Sequence, residues 1–284
     1  MTPRVTRRRM AGSLLGLWCG ASLATVRTAS GSPAGARHVE PTQVLPLDQV
    51  SAPHREAVAE VIRDHTIHRK GPGDSFPCHA QVYLGLVNEP AITLALWQDL
   101  ASSPVQLRQV APGRYEGTDG AGTVASWEFV LRSPKLHALL CNLDYSSPRG
   151  NARLQGRIVL IVRSGYYREV DGDPWVQHDV EAFVKVDSKG WKALARTVRP
   201  ILENVLEDQV QEAGLFVSLM GRLVEMYPNW ACQVATTKAQ ASPEARAEFR
   251  NVVLQNRRKG AFTGRPTMLA DPAKAANAPA RRRS

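Results

Sequence analysis

No stretch of this 284-residue chain is apolar for long enough to cross a bilayer. A spanning helix needs about 20 strongly apolar residues. The longest run, Ala11 to Val26, holds about 16 and is broken by Gly12, Ser13, Gly16 and Gly20. Cysteine is scarce: four in all, with no CxxC pair and no regular metal-ligand spacing. The central region also lacks an excess of positive charge, although the whole chain has a formal net charge of +10. Residues 1–36 hold five arginines and no acid, and Lys238–Ser284 holds 11 basic and 3 acidic residues. Between them, Arg37–Thr237 carries 20 basic and 23 acidic residues. A nucleic-acid binder carries its basic face on the folded part, so this distribution argues against a nucleic-acid partner.

What the first 36 residues do contain is a short basic segment with Arg4, Arg7, Arg8 and Arg9, followed by the modest apolar run. That is the pattern of a cleavable export signal. Arg7-Arg8-Arg9-Met10, with Thr6 before the pair and Arg27 beyond the apolar run, resembles a twin-arginine signal; an ordinary Sec signal is the alternative. Ala34-Gly35-Ala36 is the best small-x-small cleavage site, which starts the mature chain near Arg37 and makes it periplasmic or secreted. Cys19 invites a lipoprotein reading, but Trp18 stands where a small residue is needed. The mature chain keeps Cys78, Cys141 and Cys232. One disulfide is permitted outside the cytoplasm, and buried unpaired thiols are the alternative.

The expected organisation is a signal over 1–36, a leader over 37–64, one folded domain over 65–237 and a basic tail over 238–284. About 200 residues suffice for one domain with a sizeable core. His54–Asp64 reads as a short helix, and Asn88-Glu89-Pro90 separates two more, the second over Ala91–Leu100. From Val105 to Asp187 turn signals separate six runs of strand chemistry: Val105–Val110, Arg114–Gly117, Thr123–Leu131, Leu136–Asp144, Arg157–Tyr167 and Trp175–Val186. Short connections make this an antiparallel meander. Thr66–Lys70 is a possible lead-in strand. Ser188–Tyr227 has helical spacing throughout, with a kink expected at Pro200. In the tail, Ser242–Gln255 reads as one short helix; the remainder has too few apolar residues to fold alone. The tail is read as solvated, with a weak contact to an anionic surface as the sharper alternative.

This order of elements resembles the START-like helix-grip superfamily, in which a curved sheet wraps around a long final helix. The resemblance implies an α+β fold with an antiparallel six- to seven-stranded curved sheet. It further implies a cavity between sheet and helix for lipids, sterols, polyketides or aromatics. More narrowly, His65-Thr66-Ile67-His68-Arg69-Lys70-Gly71-Pro72, Phe76-Pro77-Cys78, Pro90–Trp97, Gly120-Ala121-Gly122-Thr123 and Val186-Asp187-Ser188 resemble a planctomycete-type family of exported proteins to which no activity attaches.

Strand alternation assigns inward positions. On the last strand these are Val176, His178, Val180, Ala182, Val184 and Val186. On earlier strands they are Ala125, Trp127, Phe129 and Leu131; His137, Leu139, Cys141 and Leu143; and Ile158, Leu160 and Val162. With Phe216 and Met220 from the helix, the expected ligand-binding set is His178, Trp127, Phe129, Leu139, Leu160, Ala182, Phe216 and Met220. The same residues suit a solid core. His178 is the one imidazole on an otherwise apolar face of its strand, where it serves as a ligand anchor, as an acid or base near neutral pH, or as a satisfied core histidine.

Weaker constellations complete the reading. His65, His68, Cys78 and His79 lack a second recognisable ligand pair, so no metal is expected. Gly117-x-x-Gly120-x-Gly122 is a compressed, reversed relative of the dinucleotide fingerprint and reads as a hairpin turn. Ser126 and Ser164 lack a nucleophile elbow. The Asp171/Asp173 turn is too short for a calcium loop. No cofactor is implied. Three functions are compatible with the sequence: a binding module for an apolar or amphipathic small molecule or lipid, a polyketide-cyclase or aromatase-like enzyme using His178, or a packed interaction domain. The enzyme requires a second polar group facing inward, for which Arg157, Glu128 and Tyr115 are the candidates.

Overall fold

The structure is a computed structural model, and it describes residues 39–101, 103–120, 122–146, 153–187, 215–257 and 260–266. The expected signal, the Pro200 kink, the first part of the long helix and the end of the basic tail lie outside the described residues.

The strands are β1 (Ile67–Lys70), β2 (Asp74–Pro77), β3 (Gln106–Ala111), β4 (Arg114–Thr118), β5 (Thr123–Ser133), β6 (Leu136–Ser146), β7 (Arg153–Arg168) and β8 (Pro174–Val186). They form one antiparallel sheet in the order β1-β8-β7-β6-β5-β4-β3, with β2 also paired to β8. The helices are α1 (Pro41–Val44), α2 (Arg55–Arg63), α3 (Ala80–Asn88), α4 (Pro90–Leu100), α5 (residues 215–226), α6 (Pro228–Thr237) and α7 (Pro243–Gln255). This is an α+β architecture: one antiparallel sheet with a C-terminal group of helices.

The sheet has eight strands, one more than the expected six to seven. The additional strand is β2, too short and too close to Pro72 and Pro77 to show alternation. Pro77 is tolerated because β2 lies at the sheet edge. One facing assignment is corrected. Leu131 was expected inward with Ala125, Trp127 and Phe129, but it packs on the opposite face beside Val130. The register shifts between Phe129, opposite Leu139, and Leu131, opposite Ala138. That bulge adds one residue and reverses the alternation beyond it. The carbonyl of Val130, at the bulge, accepts the Ser51 N–H at 2.9 Å.

Pro228 ends α5 and begins α6. A proline cannot continue a helix, yet at the first position its missing N–H is not needed. A chain read only for helix breakers stops there, so α6 was missed. The C-terminal helices pack on α3, α4 and the start of β8, burying Phe76, Met220, Val224, Trp230, Phe249 and Val253 in one cluster. The core thus continues beyond residue 237 into α7. At Gly221 α5 comes so near Phe76 that a Cβ would lie 2.9 Å from its ring.

Both faces of the sheet are buried over β6, β7 and β8. On the outer face Leu140, Val159, Ile161 and Phe183 pack under Leu45, Val50, Val58, Val61 and Ile62. Residues 41–63 therefore form a cover of the sheet. A half-buried ion-pair junction orients that cover. Arg157 and Lys185 are cross-strand partners on β7 and β8, and both reach Glu60 of α2. The Arg157 guanidinium donates to Glu60 at 2.7 and 3.1 Å, and the Lys185 ammonium donates to the same carboxylate. Hydrogen bonds from Arg157 and then Lys185 hold the Glu60 carboxyl down to about 2 from its ordinary 4.5. A depressed carboxyl stabilises the fold above its unfolded-state value, and the gain is lost as pH falls through the folded value. Stability should therefore fall between pH about 4.5 and about 2. In Glu60→Gln, equilibrium urea unfolding across that window should show a shallower pH dependence; an unchanged slope would refute the junction.

Candidate functional site

The sheet gathers most of the expected ligand-binding residues on its inner face, and register explains how. Phe129 stands opposite Leu139, Leu139 opposite Leu160, and Leu160 opposite Ala182, so four of the eight form one cross-strand row. Trp127 begins the next inward row, opposite Cys141 and Ile158. Tyr115 on β4 is fully buried there and stacks on Trp127 with ring centroids 6.0 Å apart. Ala91 and Leu94 of α4 pack against this face.

Phe216, Met220 and His178 sit apart from that row. Phe216 and Met220 project from α5 into the helix-side cluster, where Phe216 meets Trp97 edge-on at 5.5 Å. His178 lies four residues along β8 from Ala182, about 13 Å at normal strand rise. Its ring is edge-on to Phe76 at 5.3 Å and only 2 % exposed.

What surrounds His178 was not legible in sequence. Ser164 is its cross-strand partner on β7. The Tyr83 hydroxyl, from α3, lies 3.3 Å from His178 Nδ1 and 2.7 Å from Ser164 Oγ. Burial pushes the Tyr83 phenol well above its usual range, so it stays neutral and acts as a hydrogen-bonding bridge. Nothing local marks Tyr83, which reads as one apolar residue of an apolar helix. Ser164 lacks a nucleophile motif, and its role follows only from register.

The other polar candidates separate. Arg157 faces outward onto Glu60, and Glu128 pairs outward with Arg114 at 2.9 Å and His54 at 3.3 Å. Tyr115 alone of the three faces inward, with burial raising its hydroxyl to about 12. It lies four strands from β8, roughly 19 Å across the sheet. The histidines also scatter. His68 stacks on Phe183 at 4.3 Å and bonds Glu181 at 2.8 Å, whereas His79 bonds Glu225 at 2.8 Å. Among the described residues no three His, Cys, Asp or Glu side chains converge as metal ligands. Cys78, Cys141 and Cys232 are buried and in no disulfide. Gly120 and Gly122, both with positive φ, lie between β4 and β5, as a hairpin turn requires.

A cavity of about 410 Å³ opens beside the inner face, between α4, the β3–β4 edge and the segment after α6. Its floor is apolar, from Ala91, Leu94, Val105 and Leu107, and its rim carries Gln98, Arg108, Glu116 and Lys238. Gly117 lines it, and a Cβ there would meet the Trp127 ring at 3.1 Å. Trp127 thus lies directly beneath the cavity wall. None of the eight expected residues lines this cavity itself.

No protein-family model matches the chain, and no curated protein matches it. Solved structures of similar shape include a conserved protein from Geobacillus kaustophilus, at 11% identity and a TM-score of 0.36, covering 54% of this chain and 96% of that one. Another is the Zhui aromatase/cyclase from Streptomyces sp. R1128, at 12% identity and 0.34, covering 56% and 94%. A third is Ara h 8.0201, at 12% identity and 0.28, covering 54% and 98%. Likenesses at this level carry no argument about what the chain binds, and the narrower planctomycete-type resemblance finds no support in them.

Tyr83→Phe should cost about 1–3 kcal/mol, the usual range when a buried polar group loses its partner. Urea denaturation with an unchanged slope would report it. A loss within about 0.5 kcal/mol, the level of a neutral surface substitution, would show that the bridge is not structural.

Proposed function

We propose that this chain is an exported domain that binds an apolar or amphipathic small molecule or lipid over the inner face of its sheet. One observation carries the reading: the 410 Å³ cavity with an apolar floor and a polar rim. Small-molecule sites are concave, mostly apolar and finished by a few polar groups, within a range of about 300–1,000 Å³. The apolar body of the ligand lies on Ala91, Leu94 and Leu107, above Trp127. Its polar end meets Gln98, Arg108 or Lys238 at the rim. The row of Phe129, Leu139, Leu160 and Ala182 continues the same apolar face of the sheet.

The enzyme reading has less support. A cyclase-like step needs several polar groups converging on His178 in contact with substrate. His178 is enclosed by Phe76 and Tyr83, and the inward Tyr115 is four strands away. Binding without chemistry is the reading that the cavity supports best.

The first test is native mass spectrometry of protein recovered outside the cytoplasm, followed by organic extraction. A stoichiometric apolar adduct is expected. Val124 lines the cavity and is 60% exposed, so Val124→Trp fills it without disturbing the core. That change should weaken oleate binding about tenfold, or 1.4 kcal/mol. No adduct, and no oleate binding after delipidation, would favour a packed interaction domain.

The location is tested separately. Arg7→Lys with Arg8→Lys should retain the precursor in the cytoplasm, whereas unaltered export would point to the Sec route. N-terminal sequencing of the exported chain should begin near Arg37.

A further inference from the structure

A second cavity, of about 400 Å³, lies where the α3–α4 corner, the β5–β6 turn and α7 meet. It shares no lining residue with the inner-face cavity. Its apolar wall is Leu84, Phe249 and Val252. Phe249 is buried and packs so close to Gly85 that a Cβ there would lie 3.1 Å from its ring.

Its polar wall carries two buried acceptors with no hydrogen-bond partner among the described residues. His137, on β6, is only 1% exposed. Its Nε2 lies 3.0 Å from the Asn88 amide oxygen. An amide oxygen only accepts, so Nε2 carries the hydrogen and Nδ1 presents a lone pair. That Nδ1 has no hydrogen-bond partner among the described residues. Burial first, and then the Arg132 charge, push His137 down to about 4, which keeps the ring neutral. Glu89, in the α3–α4 corner, likewise has a buried Oε2 with no hydrogen-bond partner. Burial raises its pKa, and the Arg132 charge offsets this only in part. Arg132 itself is drawn over the Phe129 ring, 3.9 Å from its centroid.

Unsatisfied buried acceptors are costly, and only a donor relieves them. Two carboxylates, Glu89 and Glu248, against one guanidinium, Arg132, also leave the lining acidic. We infer that this cavity binds a small molecule carrying a protonated amine on an apolar body, with the ammonium donating to His137 Nδ1 and Glu89 Oε2 and the body lying against Phe249. An ammonium supplies three donors and no acceptor, which fits a wall of this kind. An alcohol supplies one donor, and a carboxylate supplies none and is repelled.

The test uses the full chain and three probes of equal length: hexylammonium, hexanol and hexanoate. Isothermal titration should give one site for hexylammonium, with hexanol and hexanoate each about tenfold weaker or more. The ¹⁵N resonance of His137 Nδ1 should move on addition of hexylammonium. Glu89→Gln keeps the shape of the side chain and removes its charge, and it should weaken hexylammonium about tenfold. Glu248→Gln, at the exposed rim, should weaken it about two- to threefold. If thermal melts show Glu89→Gln to be unfolded, Glu248→Gln and the His137 resonance decide instead. Val124→Trp should leave hexylammonium binding unchanged, which separates this site from the inner-face cavity. Equal affinity for the three probes, binding indifferent to the charge variants, or no binding would each overturn the inference.

Discussion

The alternation of β8 is the constraint on which the rest of the structure depends. This strand is paired on both edges, with β7 on one side and β1 and β2 on the other. Its odd and even positions are therefore committed to opposite faces along its whole length, and both faces are apolar enough to need cover. Val176, Val180 and Ala182 are buried inward, whereas Phe183 is buried outward. A sheet buried on both sides cannot slip by one residue without exchanging its two cores. α3, α4 and the C-terminal helices lie on one face, and residues 41–63, with α1 and α2, cover the other.

Charge and neutrality divide along the same plane. The ion pairs of Glu60, Arg157 and Lys185, and of Arg163 with Glu181, lie on the outer side, where partial exposure makes each worth little on its own. Their value is orientation, because they fix α2 against two adjacent strands. Inside, burial favours the uncharged form of several groups: it raises the Tyr83 hydroxyl, drives the Cys141 thiol up to about 12 and lowers His137.

Both cavities occur where unlike elements meet, one at the β3–β4 edge beside α4 and the other at the α3–α4 corner beside α7. At the centre of the inner face Trp127, Leu139, Leu160 and Ala182 are buried in one cluster. Side chains that interdigitate across strands leave no space, whereas a helix end against a sheet edge or a turn leaves space that neither element can fill. The central row thus supplies rigidity to the walls around it.

Sequence by itself determined the antiparallel meander and nearly all facing assignments, because period 2 in a strand is a local property written in neighbouring residues. It determined that His178 would stand on an apolar face. It did not determine Leu131, because a bulge is a mismatch in count between two strands and cannot be seen in either one. It missed β2, whose pairing comes entirely from β8, and α6, because Pro228 has opposite meanings at a helix end and a helix start. Only the tertiary structure placed Tyr83 and Ser164 around His178, moved Phe216 and Met220 to the helix side, and brought His137 and Glu89 to one cavity. Those are meetings of distant segments, fixed by register and packing, and no local pattern in the chain encodes them.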